Sequence, residues 1–378
     1  MKIVVACDSY KGCMSSIEVN RVIEQAIKDV DDHYEVKSFA LGDGGEGTTE
    51  AFVEACGGEY VHLKVRDAYF REIDVSYGLI EQGATAVIEV ASCIALNMVE
   101  RERRKPMYAT SFGVGEMLLD ASKRKVKKII IGLGGSSTND GGMGLLQALG
   151  AKFYDENNHY LKSNAMQLQN IKRIDLQRFH FLNNIEIVVA CDVKNTLLGE
   201  NGATYVFGKQ KGLYPNQIRK LDKAMKQYAN IFLKLGYDIA SHEGSGAAGG
   251  IGGALTLLNA TFMSGLDLLR TYNHMDDVIK DVDLVITGEG QSDKQTLYGK
   301  VPVGIANIAS TFHKPCICIS GALGVEYNKL YDFGFIGIYS VADRAMTFEQ
   351  ALQNAPDKLY ACTYTIMKTI HYFVEDYK

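Results

Sequence analysis

The sequence predicts an α/β protein, with a doubly wound parallel-sheet domain built from both chain ends and an inserted Gly-rich mixed α/β domain. At both ends, short apolar runs typical of buried parallel strands lead through glycine-rich loops to helical segments. From Tyr60 to about Ala91 the pattern changes to alternating polarity, which is typical of antiparallel strands. We therefore place the doubly wound domain at residues 1–57 and 276–378 and the inserted domain at 58–275.

The chain opens with a β-loop-α unit. Residues 3–6 are all apolar and predict a buried strand. Ser15 and Glu18 have the spacing of a capping box, in which each side chain accepts a hydrogen bond from the other residue's main-chain N–H. This pair predicts a helix that begins next to Ser15 and runs to about Val30.

The loop of this first unit carries Asp8, Ser9 and Lys11. In open α/β sheets, ligands bind at the carboxyl ends of the strands, where this loop lies. The three residues are therefore candidates for a binding or catalytic site. The alternative is a turn aspartate beside a solvent-exposed lysine.

The central stretch, residues 127–150, predicts another such unit. The strand Ile129–Ile131 leads into a loop of glycines and hydroxyl residues, Gly132–Gly142, and a helix begins at Met143. Such a loop exposes main-chain N–H groups and lets a ligand approach closely, so we expect it to bind an anion. The alternative is a tight strand-to-helix turn. The pattern matches neither the dinucleotide fingerprint nor the Walker A loop.

Six residues occur twice in the chain: Ile187–Asp192 has the same sequence as Ile3–Asp8. The flanking residues differ, so we interpret the two copies as independent buried strands and not as a duplication. Each strand delivers one aspartate to the carboxyl end of a sheet.

Three further glycine-rich stretches follow predicted strands or precede predicted helices. Residues 42–48 resemble the central loop in composition, and residues 244–254 fit either a ligand contact or close packing against a neighbouring helix. The third stretch follows the strand at 283–286 and brings Glu289, Asp293 and Lys300 into one loop region before a helix at residues 301–311.

Composition excludes several classes of protein. The formal net charge of −5 argues against a dedicated nucleic-acid binder, and no apolar stretch is long enough to span a membrane. The eight cysteines include no CxxC pair, which favours reduced thiols over a disulfide framework or a zinc site. The N-terminus becomes polar too early for a signal peptide, so we expect a cytoplasmic protein that acts on small molecules.

Six motifs together resemble the type-1 bacterial glycerate kinases, and the resemblance spans the chain. It implies transfer of the γ-phosphoryl group of ATP to a hydroxyl of D-glycerate, with Mg²⁺ as cofactor and 2-phosphoglycerate favoured over 3-phosphoglycerate. The motifs are Asp8–Gly12, Asp43–Thr48, Gly132–Gly142, Asp192–Gly208, Gly246–Gly250, and Gly288–Gly290 with Asp293, Gln295, Thr296, Gly299 and Lys300.

The chemistry of phosphoryl transfer requires cations around the phosphoryl oxygens and a carboxylate to orient or deprotonate the hydroxyl. We choose Asp192 for that carboxylate, with Lys11 and Asp8 as further catalytic residues and Asp293 and Asp43 as candidates for Mg²⁺. Asp8, Asp43 and Asp293 remain alternatives to Asp192 for this carboxylate. The residues expected to bind substrate or phosphate are Ser9, Asp43, Gly44, Gly45, Gly134, Gly135, Ser136, Thr138, Asn139, Asp140, Gly246, Glu289 and Lys300.

One departure from the family pattern concerns phosphate. Gln291 stands where many members carry arginine. If that arginine helps to neutralise phosphate, the resemblance implies that Lys300, Lys11 or Lys209 supplies the charge in this chain.

Two other functions fit the same loops: a non-catalytic module that binds a small anionic metabolite, and a kinase for a different hydroxy acid. Only an enzyme requires several carboxylates beside the anion loops. Because the motifs divide between the two predicted domains, we expect the active site in a cleft that closes on its substrates.

Overall fold

The computed structural model describes residues 1–42, 44–298 and 300–376. Strands and helices alternate through most of the chain. The strands are β1 (Lys2–Val5), β2 (Glu35–Ser38), β3 (Glu59–Arg66), β4 (Glu72–Ile80), β5 (Thr85–Glu89), β6 (Lys128–Gly132), β7 (Lys152–Tyr154), β8 (Arg173–Asp175), β9 (Glu186–Ala190), β10 (Thr261–Met263), β11 (Leu284–Thr287), β12 (Gln291–Ser292), β13 (Cys316–Ser320), β14 (Ala322–Leu323) and β15 (Phe335–Ser340).

The α-helices connect these strands, with short 3₁₀ turns between several of them. They are α1 (Ser16–Val30), α2 (Thr48–Cys56), α3 (Ala91–Ile94), α4 (Phe112–Lys123), α5 (Met143–Ala148), α6 (Ala203–Lys211), α7 (Pro215–Lys234), α8 (Ile251–Thr256), α9 (Gly265–Tyr272), α10 (Met275–Ile279), α11 (Val301–Thr311), α12 (Phe348–Gln353) and α13 (Ala355–His371).

The chain forms two compact units. The terminal unit comprises Met1–Gly42, Glu50–Cys56 and Leu266–Lys378, and the central unit comprises Asp43–Thr49 and Gly57–Gly265. Each unit has its own cluster of buried apolar side chains. The predicted fold class is confirmed: one parallel sheet draws its strands from both ends of the chain, and a mixed α/β region lies between them in sequence.

The terminal unit contains a five-stranded sheet in the order β2-β1-β11-β13-β15, and all its neighbouring strands are parallel. The chain steps from β1 to β2 in one direction and from β11 through β13 to β15 in the other. Right-handed crossovers therefore place α1 and α11 on opposite faces of the sheet. The order reverses between β1 and β11, which is the point where doubly wound sheets bind ligands.

The central unit contains a six-stranded mixed sheet in the order β10-β9-β6-β5-β4-β3. β3, β4 and β5 pair antiparallel, as the alternating pattern after Tyr60 predicts, whereas β5, β6, β9 and β10 run parallel. The residues of β5 and all but the first of β6 are buried, because helices cover both faces of such strands. The loops after β6 and β9 consequently leave the same edge of the sheet.

Local sequence signals account for the helix ends. Ser15 accepts a hydrogen bond from the Glu18 main chain at 3.2 Å, and the Glu18 side chain accepts one from Ser15 N–H at 2.7 Å. This capping box starts α1 as predicted. The helix predicted at 301–311 is also present, with Pro302 in its first turn, where a missing N–H costs nothing.

Residues 153–181 are polar in overall composition, yet the β7–β8 hairpin and the turn Ala165–Asn170 pack onto the central unit. The apolar residues are few and widely spaced, yet they point inward together. The buried ones are Phe153, Leu161, Ala165, Leu168, Ile171, Ile174 and Phe179.

Within the described ranges, no helix is both long and apolar enough to cross a bilayer.

Candidate functional site

A cavity of about 210 Å³ in the central unit lies at the carboxyl ends of β6 and β9. The loop after β6 forms one wall, the segment after β9 forms another, and α6 closes the side. Parallel strands bring these loops to the same edge of the sheet, which explains why distant parts of the sequence meet here. The lining residues are Leu96, Leu133, Gly134, Gly135, Ser136, Ala190, Cys191, Asp192, Val193, Phe207, Gln210, Lys211, Ala247 and Ala248.

The loop after β6 offers main-chain donors to this cavity. Within the part of the chain that the structure describes, the N–H groups of Gly135 and Ser136 have no hydrogen-bond acceptor. Gly135 has a φ of 72°, a conformation that side chains other than glycine rarely adopt. Two such N–H groups beside a hydroxyl are suited to the oxygen atoms of an anion.

Lys211, the last residue of α6, brings a cation to the same cavity. Its side chain is only 3% exposed, and Nζ donates to Ser136 Oγ at 3.0 Å and to the main-chain oxygen of Thr138 at 2.7 Å. Burial lowers the pKa of Lys211 to about 7, and the charge of Asp140 opposes that shift. The lysine is therefore held in place by neutral oxygens.

Asp192 lies on the other wall, directly after β9. It is exposed, and its Oδ1 accepts a hydrogen bond from Gly265 N–H at 3.1 Å. That bond orients the carboxylate. The cavity thus combines one acidic and one basic side chain, an arrangement suited to a ligand that carries both an anionic group and a hydroxyl.

Asp140 has a different surrounding. Its carboxylate is completely buried and accepts four hydrogen bonds: from Ser111 N–H at 2.8 Å, Ser111 Oγ at 2.9 Å, Gly142 N–H at 3.2 Å and Gly144 N–H at 3.1 Å. Burial raises the pKa of Asp140, and these bonds act in the opposite direction. The donors at the start of α5, which the sequence suggested for an external anion, are thus occupied by Asp140, and we infer that this side chain shapes the loop.

Several glycines are required by close packing of main chains. A Cβ at Gly134 would lie 2.4 Å from Gly45 Cα, and a Cβ at Gly132 would lie 2.4 Å from the oxygen of Gly44. A Cβ at Gly246 would likewise meet the oxygen of Thr196 at 2.2 Å. The glycine-rich loops therefore pack against other main-chain segments, which leaves no space for larger residues.

The terminal unit holds a second group of candidate residues at the switch point of its sheet. Asp8 follows β1 and Glu289 follows β11, and Asp8 N–H donates to the oxygen of Gly288 at 2.8 Å. A Cβ at Gly290 would be 3.3 Å from Lys11 N, so the two loops approach closely. Asp8, Lys11 and Glu289 thus belong to adjoining loops at the carboxyl ends of neighbouring strands.

Glu289 is buried and holds several donors. Its Oε1 accepts from Ser292 Oγ at 3.1 Å and from Thr296 Oγ1 at 2.5 Å, and its Oε2 is 3.2 Å from Lys300 Nζ. The Lys300 side chain is 41% exposed. Glu289 therefore anchors a lysine whose ammonium group still reaches solvent.

Two loop carboxylates of the terminal unit are suited to Mg²⁺. Asp8 Oδ1 accepts from Ser9 N–H at 2.7 Å, and Asp293 accepts from Gln295 N–H at 2.7 Å and from Gln291 Nε2 at 3.0 Å. Mg²⁺ usually takes one or two carboxylates and keeps several waters. Either aspartate provides the hard oxygen ligand that this ion prefers.

Comparison with known proteins identifies the family. A sequence model of the glycerate kinase family matches residues 3–371. The chain belongs to this family. The predicted resemblance to glycerate kinases is thereby confirmed over nearly the whole chain.

Individual members of the glycerate kinase family are similar along their full length. A glycerate 2-kinase of Escherichia coli K12 is 39% identical, covering 98% of both chains. A glycerate kinase of Halalkalibacterium halodurans is 38% identical, covering 94% of this chain and 95% of the relative. A crystal structure of a protein designated glycerate kinase 2, from Salmonella typhimurium LT2, superposes with a TM-score of 0.85 at 39% identity and 98% coverage of both chains.

The structure brings some of the predicted site residues together. Gly134, Gly135, Ser136 and Asp192 line the cavity. The terminal-unit group contains Asp8, Ser9, Lys11, Glu289, Asp293 and Lys300.

Other predicted residues do not line the cavity. Thr138, Asn139 and Asp140 are fully buried, and Gly44 and Gly45 pack behind the central loop. Asp43, predicted for both substrate and Mg²⁺, lies outside the described residues.

Lys209 and Lys211 are two cations of the segment that follows Asp192 in this glycerate kinase family member, but the sequence did not assign Lys211 to the site. The motif from Asp192 to Gly208 ends just before Lys211, and the nearby Lys209, an alternative lysine for phosphate, is exposed. One signal was available: Lys211 directly precedes Gly212, a common residue at helix ends, so the last turn and its lysine could have been placed. Its contact with Ser136 is too distant in sequence to be read from spacing.

Proposed function

We propose that the protein is a kinase that transfers the γ-phosphoryl group of ATP to D-glycerate, with Mg²⁺, and that it favours 2-phosphoglycerate over 3-phosphoglycerate. The observation that carries the proposal is the full-length similarity to proteins named glycerate kinase. The name of the Escherichia coli relative, glycerate 2-kinase, supports the position of transfer.

In the central unit, we assign Asp192 to the acceptor hydroxyl. A carboxylate beside the cavity, oriented by Gly265 N–H, is suited to position that hydroxyl and to accept its proton as the new O–P bond forms. Gly135 and Ser136 contribute donors on the opposite wall, which Gly134 also lines. The charges and donors of this cavity match a small hydroxy acid better than they match an uncharged sugar.

In the terminal unit, we assign Lys11 and Lys300 to phosphate oxygens, with Ser9 as a hydrogen-bond donor. Glu289 holds Lys300 through the 3.2 Å contact described above. The switch point of a doubly wound sheet is the expected place for such a ligand. Gln291 is neutral and donates to Asp293, so it does not replace the arginine of other members.

Asp8 and Asp293 are the described residues that we propose for Mg²⁺; Asp43 stays a candidate from sequence alone. When bound, the ion neutralises negative charge on the phosphate oxygens. Asp8 and Asp293 are both fixed by main-chain N–H groups, so their carboxylates are oriented in advance. Thr138, Asn139, Asp140 and Gly246 stay predicted contributors, and their contacts support a role in shaping the loops.

A coupled assay of ADP formation tests this proposal. We expect turnover only when ATP, Mg²⁺ and D-glycerate are all present. Phosphorus NMR of the product then distinguishes 2-phosphoglycerate from 3-phosphoglycerate. If folded protein turned over none of a panel of related hydroxy acids, the non-catalytic anion-binding function would replace the kinase. Turnover of another acid in place of D-glycerate would keep the kinase and change its substrate.

A further inference from the structure

Lys211 is a buried lysine without an ionic partner among the described residues. Within the described part of the chain, no carboxylate forms an ion pair with its ammonium group, and its two acceptors are the hydroxyl of Ser136 and the carbonyl of Thr138. Asp140 is the carboxylate that acts on it electrostatically, and that side chain is occupied by its own four donors. Burying an unpaired charge is costly, so an anion that reached Lys211 would be strongly favoured.

The surroundings of Lys211 are suited to such an anion. Ser136 and Lys211 line the same cavity, and the N–H groups of Gly135 and Ser136 have no acceptor within the residues described. An ammonium group, a hydroxyl and two N–H groups can surround the two oxygens of a carboxylate. The cavity supplies these donors without moving an existing ion pair.

Size favours a small ligand. Pockets for drug-sized molecules measure roughly 300–1,000 Å³, whereas this cavity measures about 210 Å³. Asp192 on its wall is suited to a hydroxyl and is unfavourable for a second anionic group. A small acid that carries a hydroxyl meets both conditions, whereas a triphosphate does not.

We propose that Lys211 binds the carboxylate of the hydroxy acid in this cavity and thereby selects the acid over uncharged analogues of it. The identity of the acid as D-glycerate rests on the proposed function. In this assignment Lys211 contacts the carboxylate of the substrate, and Asp192 positions its hydroxyl. Nothing in the family motifs quoted above marks this lysine.

Substrate selectivity is the first test. We compare kcat/KM for D-glycerate and for its uncharged amide in wild type, in Lys211→Met and in the exposed control Lys220→Met. Losing a charge-assisted hydrogen bond predicts that Lys211→Met raises the KM for D-glycerate about 10- to 100-fold. The kcat/KM for the amide and the KM for ATP should both change little. The ratio of kcat/KM for the acid to kcat/KM for the amide should therefore fall. Lys220→Met should match wild type.

Proton uptake is the second test, and it requires no turnover. A bound carboxylate stabilises the protonated lysine, whose pKa without ligand is about 7. Calorimetric titration with D-glycerate at about pH 7.5, in two buffers of different ionisation enthalpy, should therefore show net uptake of protons. In Lys211→Met this uptake should be absent.

The outcomes separate the inference from the proposed function. Wild type that binds D-glycerate with proton uptake but does not use ATP would support the carboxylate site and contradict the kinase. Active wild type without proton uptake would overturn the assignment of Lys211. A rise in the KM for ATP alone in Lys211→Met would assign the lysine to nucleotide phosphate and overturn the carboxylate site.

Discussion

Oε2 of Glu289 lies 3.2 Å from Nζ of Lys300, and the glutamate is buried while the lysine is partly exposed. Ser292 and Thr296 donate to the other oxygen of the same carboxylate. The lysine is therefore positioned by a side chain that is itself fixed on several sides. Such an arrangement differs from a surface ion pair, in which both partners are mobile.

Replacing this anchor should impair the handling of ATP. We expect Glu289→Gln to lower kcat/KM for ATP about tenfold or more, because a buried charge-assisted hydrogen bond is lost. Glu326→Gln is the matched control, since Glu326 is also 3.2 Å from a lysine, Lys329, but at the surface. Steady-state kinetics at saturating D-glycerate give kcat/KM for ATP in both variants. Equal effects of the two substitutions would show that Lys300 needs no buried anchor.

Asp192 is the proposed acceptor of the hydroxyl proton, so its charge should matter most for the chemical step. We expect Asp192→Asn to reduce kcat by about 10²–10⁴-fold, with little change in the KM for ATP. Asp155→Asn is the control, because Asp155 also accepts hydrogen bonds from main-chain N–H groups in an exposed turn. Near-normal kcat in Asp192→Asn would move the role to Asp8 or Asp293.

Gly134 should not tolerate a methyl group. The added Cβ would lie 2.4 Å from Gly45 Cα, and a main chain cannot move as easily as the end of a side chain. We expect Gly134→Ala to lower the free energy of unfolding by about 1–3 kcal/mol, the usual cost of overpacking.

The control for this change is Gly208→Ala. The nearest atom to its Cβ, at 2.8 Å, would be Cδ1 at the end of the flexible Leu213 side chain, and alanine favours the helix by up to about 1 kcal/mol. Urea unfolding followed by circular dichroism compares both variants with wild type. If Gly134→Ala unfolded at the wild-type urea concentration, the close packing of the two loops would be wrong.

Glu89 should make stability depend on pH. Burial raises its pKa from 4.5 to about 7, although the N–H groups of Thr49 and Gly47 donate to it. The folded chain therefore binds a proton more tightly than the unfolded chain, and this contribution to stability is lost as pH rises from about 4.5 to 7. The predicted decrease is up to about 3 kcal/mol.

Glu89→Gln should remove that part of the pH dependence, because glutamine cannot lose a proton there. Glu186→Gln, at an exposed position of β9, should retain it. Urea unfolding at about pH 5 and about pH 7.5 gives the comparison. A wild-type decrease that persisted unchanged in Glu89→Gln would assign it to other groups.

Local signals explain which parts of the fold were predictable. The capping box at Ser15, the strand at Ile129–Ile131 and the helix at 301–311 depend on neighbouring residues, and the structure contains all three. The apolar residues between Phe153 and Phe179 follow no helical or strand period, so the sequence alone does not identify them as core; a hairpin turns them inward.

The site was predictable to the extent that it follows strand ends. Asp192 and Ser136 lie in the loops that follow β9 and β6, so the strand pattern located them. Lys211 lies 75 residues from Ser136 in sequence, and no local rule links the end of α6 to that loop. Each glycine-rich loop could be explained by ligand contact or by close main-chain packing. Only the distances between loops distinguish these two explanations.

The repeated hexapeptide affects how the chain folds during synthesis. β1 pairs with β2 and with β11, and β11 begins at Leu284. At a synthesis rate of about 5–20 residues per second, roughly 15–55 s pass between the synthesis of β1 and that of β11, its second neighbour in the sheet. Meanwhile β9, whose last four residues and the two that follow repeat those from Ile3 to Asp8, leaves the ribosome and joins β6. Until β11 is made, the nascent chain thus contains two strands with the same apolar residues, and the residues that flank them must direct β9, and not β1, to β6.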